Sequence, residues 1–280
     1  MIIFKNIVSI KNHLAKLVQE DKSIGFVPTM GALHEGHLSL LNQAKQQSDI
    51  TVVSIFVNPT QFNDPKDFEK YPLTLDADIL QLEKSGCDLL FLPAVETMYP
   101  DGFYNSNKYE LGFIETILDG AFRKGHFQGV CQIVEKLLKI VNPHKLFLGQ
   151  KDYQQCMVIK KLVDLLAFNT NIIICETKRE PSGLAMSSRN LRLNKEDLEK
   201  SSIIYNTLKY IKKNIKPGNL TQLKEEAIRI LSTNGITVDY IEIATAENLN
   251  AVEVWDGKTK LVVLVAAMIS NIRLIDNLLL

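Results

Sequence analysis

Residues 24–40 read IGFVPTMGALHEGHLSL, and the change of pattern inside them decides what kind of fold the chain builds. Residues 24–27 are a short apolar run of strand composition, and Pro28 is expected to halt it. Beyond Gly36 the apolar residues Leu38, Leu41 and Ala44 stand among polar neighbours, the spacing of a helix continuing to about Gln47. Between the two lies a strand-to-helix turn carrying His34 and His37, with glycines beside and between them. Such a turn gathers backbone N–H groups and the positive end of a helix dipole at one point, which suits a phosphate. An imidazole near neutral pH carries or donates a proton, and two of them there stabilise charge growing on a polyphosphate. The spacing excludes one metal chemistry. A zinc-binding H-E-x-x-H helix needs its histidines four apart, whereas His34-Glu35-Gly36-His37 is one residue short and holds a glycine.

The same alternation continues to Cys175. Upstream, residues 9–19 place Ile10, Leu14, Leu17 and Val18 at helical spacing, with Ser9 as the expected N-cap. Residues 50–57 (ITVVSIFV) form a dense β-branched run, as in a central parallel strand covered on both faces. A polar, proline-containing loop is expected at 58–65, a helix at 75–85, a strand at 88–92 and irregular chain over 93–109. A helix from Gly129 to Val141, a strand at 145–148, a helix at 152–168 and a strand at 171–175 follow. The fold class is therefore α/β, with a doubly wound parallel sheet. Past Cys175 the alternation stops. A polar hinge at 176–182 leads to helices at 194–214 and 220–233, the second ending at Asn234-Gly235, then strands at 236–244, 260–268 and 271–275. This is the pattern of a second, smaller α+β domain, and the expected division is 1–176 and 177–280.

Bulk properties narrow the function classes. The 280 residues are 46% hydrophobic and 23% charged, with a formal net charge of zero. That balance argues against nucleic acid as a partner, because non-specific backbone binding needs a basic surface. Cys87, Cys131, Cys156 and Cys175 are widely spaced in or beside apolar runs and contain no C-x-x-C pair, so buried thiols are expected and a disulfide framework is not. The apolar start lacks a basic leader pattern, and the apolar run 261–269 is about half of a membrane span. A soluble cytoplasmic protein with no membrane partner is expected.

Four polar clusters fall just after expected strands, where open parallel sheets bind ligands. They are His34 with His37, Asn58 with Gln61, Gly149-Gln150-Lys151-Asp152, and Met186-Ser187-Ser188-Arg189 beyond the hinge. Each has an ordinary reading: a core histidine, a loop glutamine, a helix cap at Asp152, a solvated Ser-Ser-Arg loop. Together they read as one composite site, with Lys151 and Arg189 as cations for phosphates and Gln61 as a neutral partner for a small hydroxy acid or carboxylate. Arg123, Lys124 and His126 form a further basic cluster, readable either as solvated loop or as part of that site.

The set PTMGALHEGH, SIFVNPTQF, YP-x-T with Asp78 after it, GHF-x-GV, GQKDYQQ and GLAMSSRN, followed by VDYIEI and RLIDN, closely resembles the bacterial pantothenate synthetases over nearly the whole chain. The H-x-G-H turn and the Met-Ser-Ser-Arg loop are similar to the signature motifs of the wider nucleotidyl-transferring superfamily. The resemblance implies a Rossmann-like first domain that binds ATP and pantoate, a C-terminal lid, and an AMP-forming pantoate–β-alanine ligase working through pantoyl adenylate. The alternative within the superfamily is a nucleotidyltransferase that stops at an adenylated product. It further implies that Met30, Gly31, Ala32, Leu33, His34, Glu35, Gly36 and His37 line the ATP site, with His37 a proton donor and His34 a phosphate stabiliser. Gly149, Gln150, Lys151 and Asp152 would bind ATP, Lys151 on the phosphates and Asp152 on the ribose. The backbone of Lys178 would meet adenine, and Met186, Ser187, Ser188 and Arg189 would close over the triphosphate. Gln61 and Gln155 would hold pantoate, Gln61 also lying near β-alanine. Mg2+ would accompany ATP near Asp78, and the chain would be a homodimer.

Lys178, Ala77, Lys124, Gln128 and Ser182 depart from the family pattern, where apolar, acidic, proline, arginine and acidic residues respectively are usual. None of these departures removes an expected catalytic group.

Overall fold

Pro28 does not end its strand. In the computed structural model, which describes residues 1–62, 68–103 and 107–280, strand β2 spans Ile24–Thr29. Thr29 O accepts the Phe56 N–H, so the backbone groups of Pro28 face the other neighbour, β5 (Lys145–Gly149). Pairing of β2 with β5 is confined to Gly25 and Phe26. The missing proline N–H therefore costs no ladder bond, and beyond Phe26 the two strands are unladdered toward their carboxyl ends.

The chain forms two units, Met1–Gly149 with Val158–Cys175, and Gln150–Met157 with Glu176–Leu280. The first holds β1 (Ile2–Phe4), β2, β3 (Ile50–Ile55), β4 (Leu89–Phe91), β5 and β6 (Asn171–Cys175) in the order β1-β4-β3-β2-β5-β6, every pair parallel. The sheet builds outward from β2 through β3 to β4, then starts again on the other side with β5 and β6. The order reverses between β2 and β5, so the carboxyl ends of those strands, Thr29 and Gly149, mark the switch point where such sheets bind ligands. β3, sandwiched between β2 and β4, is buried from Thr51 to Ile55. Helix α2 (Glu35–Gln47) covers it by burying Leu40, Leu41 and Ala44, which join Val27, Val53, Leu82, Leu90 and Phe147 in one core.

Helix α1 (Ile7–Gln19) is capped by Asn6, not Ser9: the Asn6 carboxamide oxygen accepts from the N–H groups of Val8 and Ser9. Asn outcompetes a later Ser because its acceptor reaches both open N–H groups of the first turn. Helix α3 spans Leu75–Lys84. Helix α4, His126–Val141, starts before Gly129, so the G-H-F-x-G-V stretch lies in its first turn. The expected loop at 58–65 and the irregular chain at 93–109 lie partly outside the described residues; Val95–Met98 within the latter is a single helical turn.

Helix α5 (Tyr153–Leu165) is entered through a 3-10 turn, Gln150–Asp152, and ends three residues before the expected Phe168, at a left-handed Ala167. The second unit packs helices α6 (Lys195–Asn214) and α7 (Thr221–Thr233) on an antiparallel sheet in the order β11-β10-β8. Here β8 is Thr237–Thr245, β10 Leu261–Ile269 and β11 Ile272–Leu279. A two-stranded ribbon, β7 (Gly218–Asn219) with β9 (Val254–Trp255), is a further element. Strand β11 runs four residues past its expected end, because the polar pair Asp276-Asn277 breaks the apolar pattern without breaking the strand. All four cysteines are buried thiols outside any disulfide; burial pushes those of Cys87 and Cys131 up to about 12. No helix among the described residues is long and apolar enough to cross a membrane.

Candidate functional site

The turn after β2 is held by its own surroundings at nearly every backbone donor. Gly31 N–H donates to Thr29 Oγ1 at 3.2 Å, and that hydroxyl donates to Ser54 O at 2.8 Å. Ala32 N–H and Leu33 N–H donate to the two carboxylate oxygens of Asp78, at 2.9 and 2.8 Å. Asp78 stands in the first turn of α3, 2% exposed, and its Oδ1 also accepts from Thr74 Oγ1 at 3.0 Å. Gly31 and Ala32 both have positive φ, 81° and 49°. For Ala32 that conformation costs about 1 kcal/mol, and it aims two successive N–H groups at one anion. Here the anion is the protein's own.

The histidines then close the cap. His34 is the N-cap of α2, its Nδ1 accepting from Gly36 N–H at 3.1 Å, and His34 N–H points at His37 Nδ1 at 3.4 Å, a reciprocal capping box. Their rings lie 4.1 Å apart. Because each Nδ1 accepts, the neutral rings carry their protons on Nε2. The expectation that backbone N–H groups serve a phosphate is thus revised. Those of Gly31, Ala32, Leu33, His34, Gly36 and His37 already have partners.

After β3 a 3-10 turn, Pro59–Gln61, brings Gln61 to the same turn, with its Nε2 donating to Met30 Sδ at 2.8 Å. Buried Asn58 fixes it: Nδ2 donates to Gln61 Oε1 and to Gly129 O, and Oδ1 accepts from Tyr99 OH at 2.7 Å. His126, which the sequence allowed as part of a solvated basic cluster, is buried under the same loop. Its Nε2 lies 3.0 Å from Arg123 NH1, which only donates, so its proton sits on Nδ1 and is given to Gln61 O at 2.8 Å. A Cβ at Gly129 would stand 2.2 Å from Thr60 O; only glycine lets the loop lie this close to α4. Gln128 ties Tyr109 to α4 by donating to Tyr109 O and accepting from its N–H, and donates also to Glu115.

In the second unit, Lys151 Nζ pairs with the Asp152 carboxylate at 3.1 Å. Gln155 is half-buried in the first turn of α5. The expected hinge is a tight hairpin: Arg179 bridges to Ala185, Glu180 N–H donates to Leu184 O, and Gly183, at φ 93°, turns the chain. Met186 N–H donates to Lys178 O at 3.0 Å, which places the start of the Met-Ser-Ser-Arg loop beside Lys178. Ser187 Oγ accepts from Arg189 N–H, opening a 3-10 turn over Ser188–Arg192. Ser182 Oγ accepts the Leu184 N–H within the hairpin.

The model of the pantoate-beta-alanine ligase family matches residues 2–279. The chain belongs to this family. A curated pantothenate synthetase from Cytophaga hutchinsonii is 44% identical over 281 residues, covering 99% of each chain. The crystal structure of pantothenate synthetase from Thermus thermophilus superposes with a TM-score of 0.91 at 35% identity, covering 99% of both chains. That of pantoate-beta-alanine ligase from Francisella tularensis, complexed with beta-gamma ATP and beta-alanine, superposes with a TM-score of 0.83 at 42% identity, over 100% of this chain and 97% of that one. The sheet order and the small antiparallel domain are those of pantothenate synthetases.

The placement of Asp78 departs from its expected role. Asp78, named from the sequence as the acidic residue for Mg2+, spends both oxygens on backbone N–H groups and a threonine hydroxyl inside the protein. Mg2+ demands octahedral oxygen ligands and keeps several waters, which this enclosed carboxylate does not fit. Among the described residues no group of three or more His, Cys, Asp or Glu side chains is gathered for a metal. The pair Asp276-Asn277, part of RLIDN and given no role by the motifs, is buried although both residues are polar. A polar doublet inside an apolar run was the available signal.

Proposed function

We propose that this chain condenses pantoate with β-alanine at the expense of ATP, releasing AMP and pyrophosphate. The observation that carries the reading is likeness over essentially the whole length to a ligase complexed with beta-gamma ATP and beta-alanine. ATP is accordingly a substrate. In the first step a pantoate carboxylate oxygen attacks the α-phosphorus of ATP and the bond to the β-phosphate oxygen breaks, giving pantoyl adenylate and pyrophosphate. In the second, the β-alanine amine attacks the acyl carbon, the acyl–phosphate oxygen bond breaks, and AMP leaves as the amide forms with loss of the amine proton. Adenylation is needed because a carboxylate is a poor electrophile; the protein supplies in-line positioning, donors to the phosphates and exclusion of water.

The side chains suit these tasks. The rings of His37 and His34 are fixed by their capping box, with His37 assigned as the proton donor and His34 as the phosphate stabiliser, and Met30 to Gly36 lining the nucleotide. Gln61, held by Asn58 and His126, is assigned to pantoate and β-alanine, and Gln155 to pantoate. Lys151 would release Asp152 to meet a phosphate, an inexpensive exchange for a partly exposed pair, leaving Asp152 for the ribose. The Lys178 backbone is assigned to adenine, and Met186 to Arg189 to the triphosphate. Mg2+ would arrive on the nucleotide phosphates with its waters rather than on Asp78. The family resemblance also supports a cytoplasmic homodimer, which sedimentation equilibrium would weigh.

AMP release measured with ATP and pantoate, with and without β-alanine, tests the reaction class. Multiple turnovers to AMP and amide only when the amine is present are expected. Sustained amine-independent formation of an adenylated product would identify a nucleotidyltransferase instead.

A further inference from the structure

Strand β11 buries two polar side chains in succession, Asp276 at 4% and Asn277 at 1% exposure, and consecutive residues of a strand point to opposite faces. Burying a carboxylate and a carboxamide is unfavourable unless every polar atom is matched. Here the matching is complete and aimed at two particular segments. Asp276 takes a two-pronged contact from Arg179, NH1 to Oδ2 at 2.6 Å and NH2 to Oδ1 at 3.0 Å, while the Arg179 guanidinium stacks on Tyr205 at 3.8 Å. Arg179 NH2 also donates to Asn277 O, and Asn277 N–H donates to Asp276 Oδ1. On the other face Asn277 Nδ2 donates to Gln150 O at 2.8 Å and to Lys151 O at 2.9 Å, and Asn277 Oδ1 accepts from Gln150 Nε2 at 3.1 Å.

We propose that Asp276 and Asn277 are positioning residues for ATP: one strand doublet fixes both the turn that carries Lys151 and Asp152 and the hairpin that begins at Lys178. The inference rests on the assignment of those segments to the nucleotide. Two features separate this role from mere stabilisation of the unit. Asn277 grips consecutive main-chain carbonyls, so it sets the orientation of the peptide from which the Lys151 side chain projects, and no apolar residue of similar volume does this. Asp276 reaches the residue next to Lys178, whose carbonyl in turn holds Met186. The doublet thus reaches all three second-unit segments assigned to ATP, while Gln61, assigned to β-alanine, belongs to the first unit.

The test is a comparison of Asn277→Leu, Asn277→Ser and Asp276→Asn with Leu231→Ala, a core truncation in the same unit. Each is assayed for kcat/KM with ATP, for KM of β-alanine, for ATP affinity by calorimetry with ATP alone, and for Tm. Misplacing a reacting partner by about 1 Å costs on the order of a hundredfold, so Asn277→Leu is expected to lose roughly that factor in kcat/KM for ATP, with KM for β-alanine within about twofold of wild type. Leu231→Ala is expected to lower Tm at least as much and leave the ATP parameters unchanged. If Asn277→Leu fails to fold, the milder Asn277→Ser and Asp276→Asn carry the comparison through the same ATP-specific loss. Doublet variants with wild-type ATP parameters, or losses that Leu231→Ala reproduces at equal Tm, would overturn the positioning role. Wild-type protein that binds ATP but does not turn over would instead count against the ligase reading, and the calorimetric comparison would still decide the role of the doublet.

Discussion

Asp78 illustrates how a residue's chemistry is set by partners far away in sequence. As a lone acidic residue near a nucleotide motif it reads as a metal ligand; in the fold it accepts the N–H groups of Ala32 and Leu33, 46 and 45 positions upstream. Removing it strands two buried donors, each costing about 1–3 kcal/mol, and withdraws the anion that offsets the left-handed Ala32. Asp78→Asn keeps one acceptor and is expected to lower stability by about 1–3 kcal/mol in urea unfolding, with reduced turnover. The Mg2+ concentration giving half-maximal rate should stay at the wild-type value. A rise of about tenfold or more in that concentration would mean that the carboxylate ligates the metal after all. The histidines were legible from the sequence because both lie in one short stretch. Their tautomers were not, since those depend on which backbone N–H each ring accepts.

Among elements, periodicity located the long helices and the buried strands to within a few residues, because those signals are local. It failed where a tertiary partner decided the boundary. Strand β2 passes through Pro28 because the ladder on that side has already ended. Helix α4 begins at His126 because its first turn is pinned against the 59–61 loop, and β1 is too short to register except by its parallel pairing with β4. Gly129 carries a prediction at this scale. On propensity alone Gly→Ala inside a helix gains about 1 kcal/mol, yet the new methyl would meet Thr60 O at 2.2 Å and Gln61 Cα at 2.8 Å. Gly129→Ala should therefore fold while displacing Gln61, raising KM for pantoate by at least about tenfold, since a shift of about 1 Å can cost a hundredfold. An unchanged pantoate KM would separate Gln61 from pantoate binding.

For the molecule as a whole, alternation of strand and helix followed by its loss at Cys175 was enough to read an α/β unit followed by a smaller α+β one. The strand order, and hence the switch point at Thr29 and Gly149, came only from pairing. The second unit also takes in Gln150–Met157, a segment that no local signal separates from its neighbours; Asn277 holds it from 127 residues away. The family's motifs therefore mark the groups assigned to substrates, while the residues that aim those groups lie outside them or in motifs with no evident chemistry, such as RLIDN. In the proposed reaction pantoate is activated by adenylation before any amine is used. Exchange of labelled pyrophosphate into ATP, measured with pantoate and without β-alanine, tests it most directly. Exchange is expected only when pantoate is added; exchange that is absent with active protein, or that proceeds without pantoate, would rule out adenylation of pantoate as the first step.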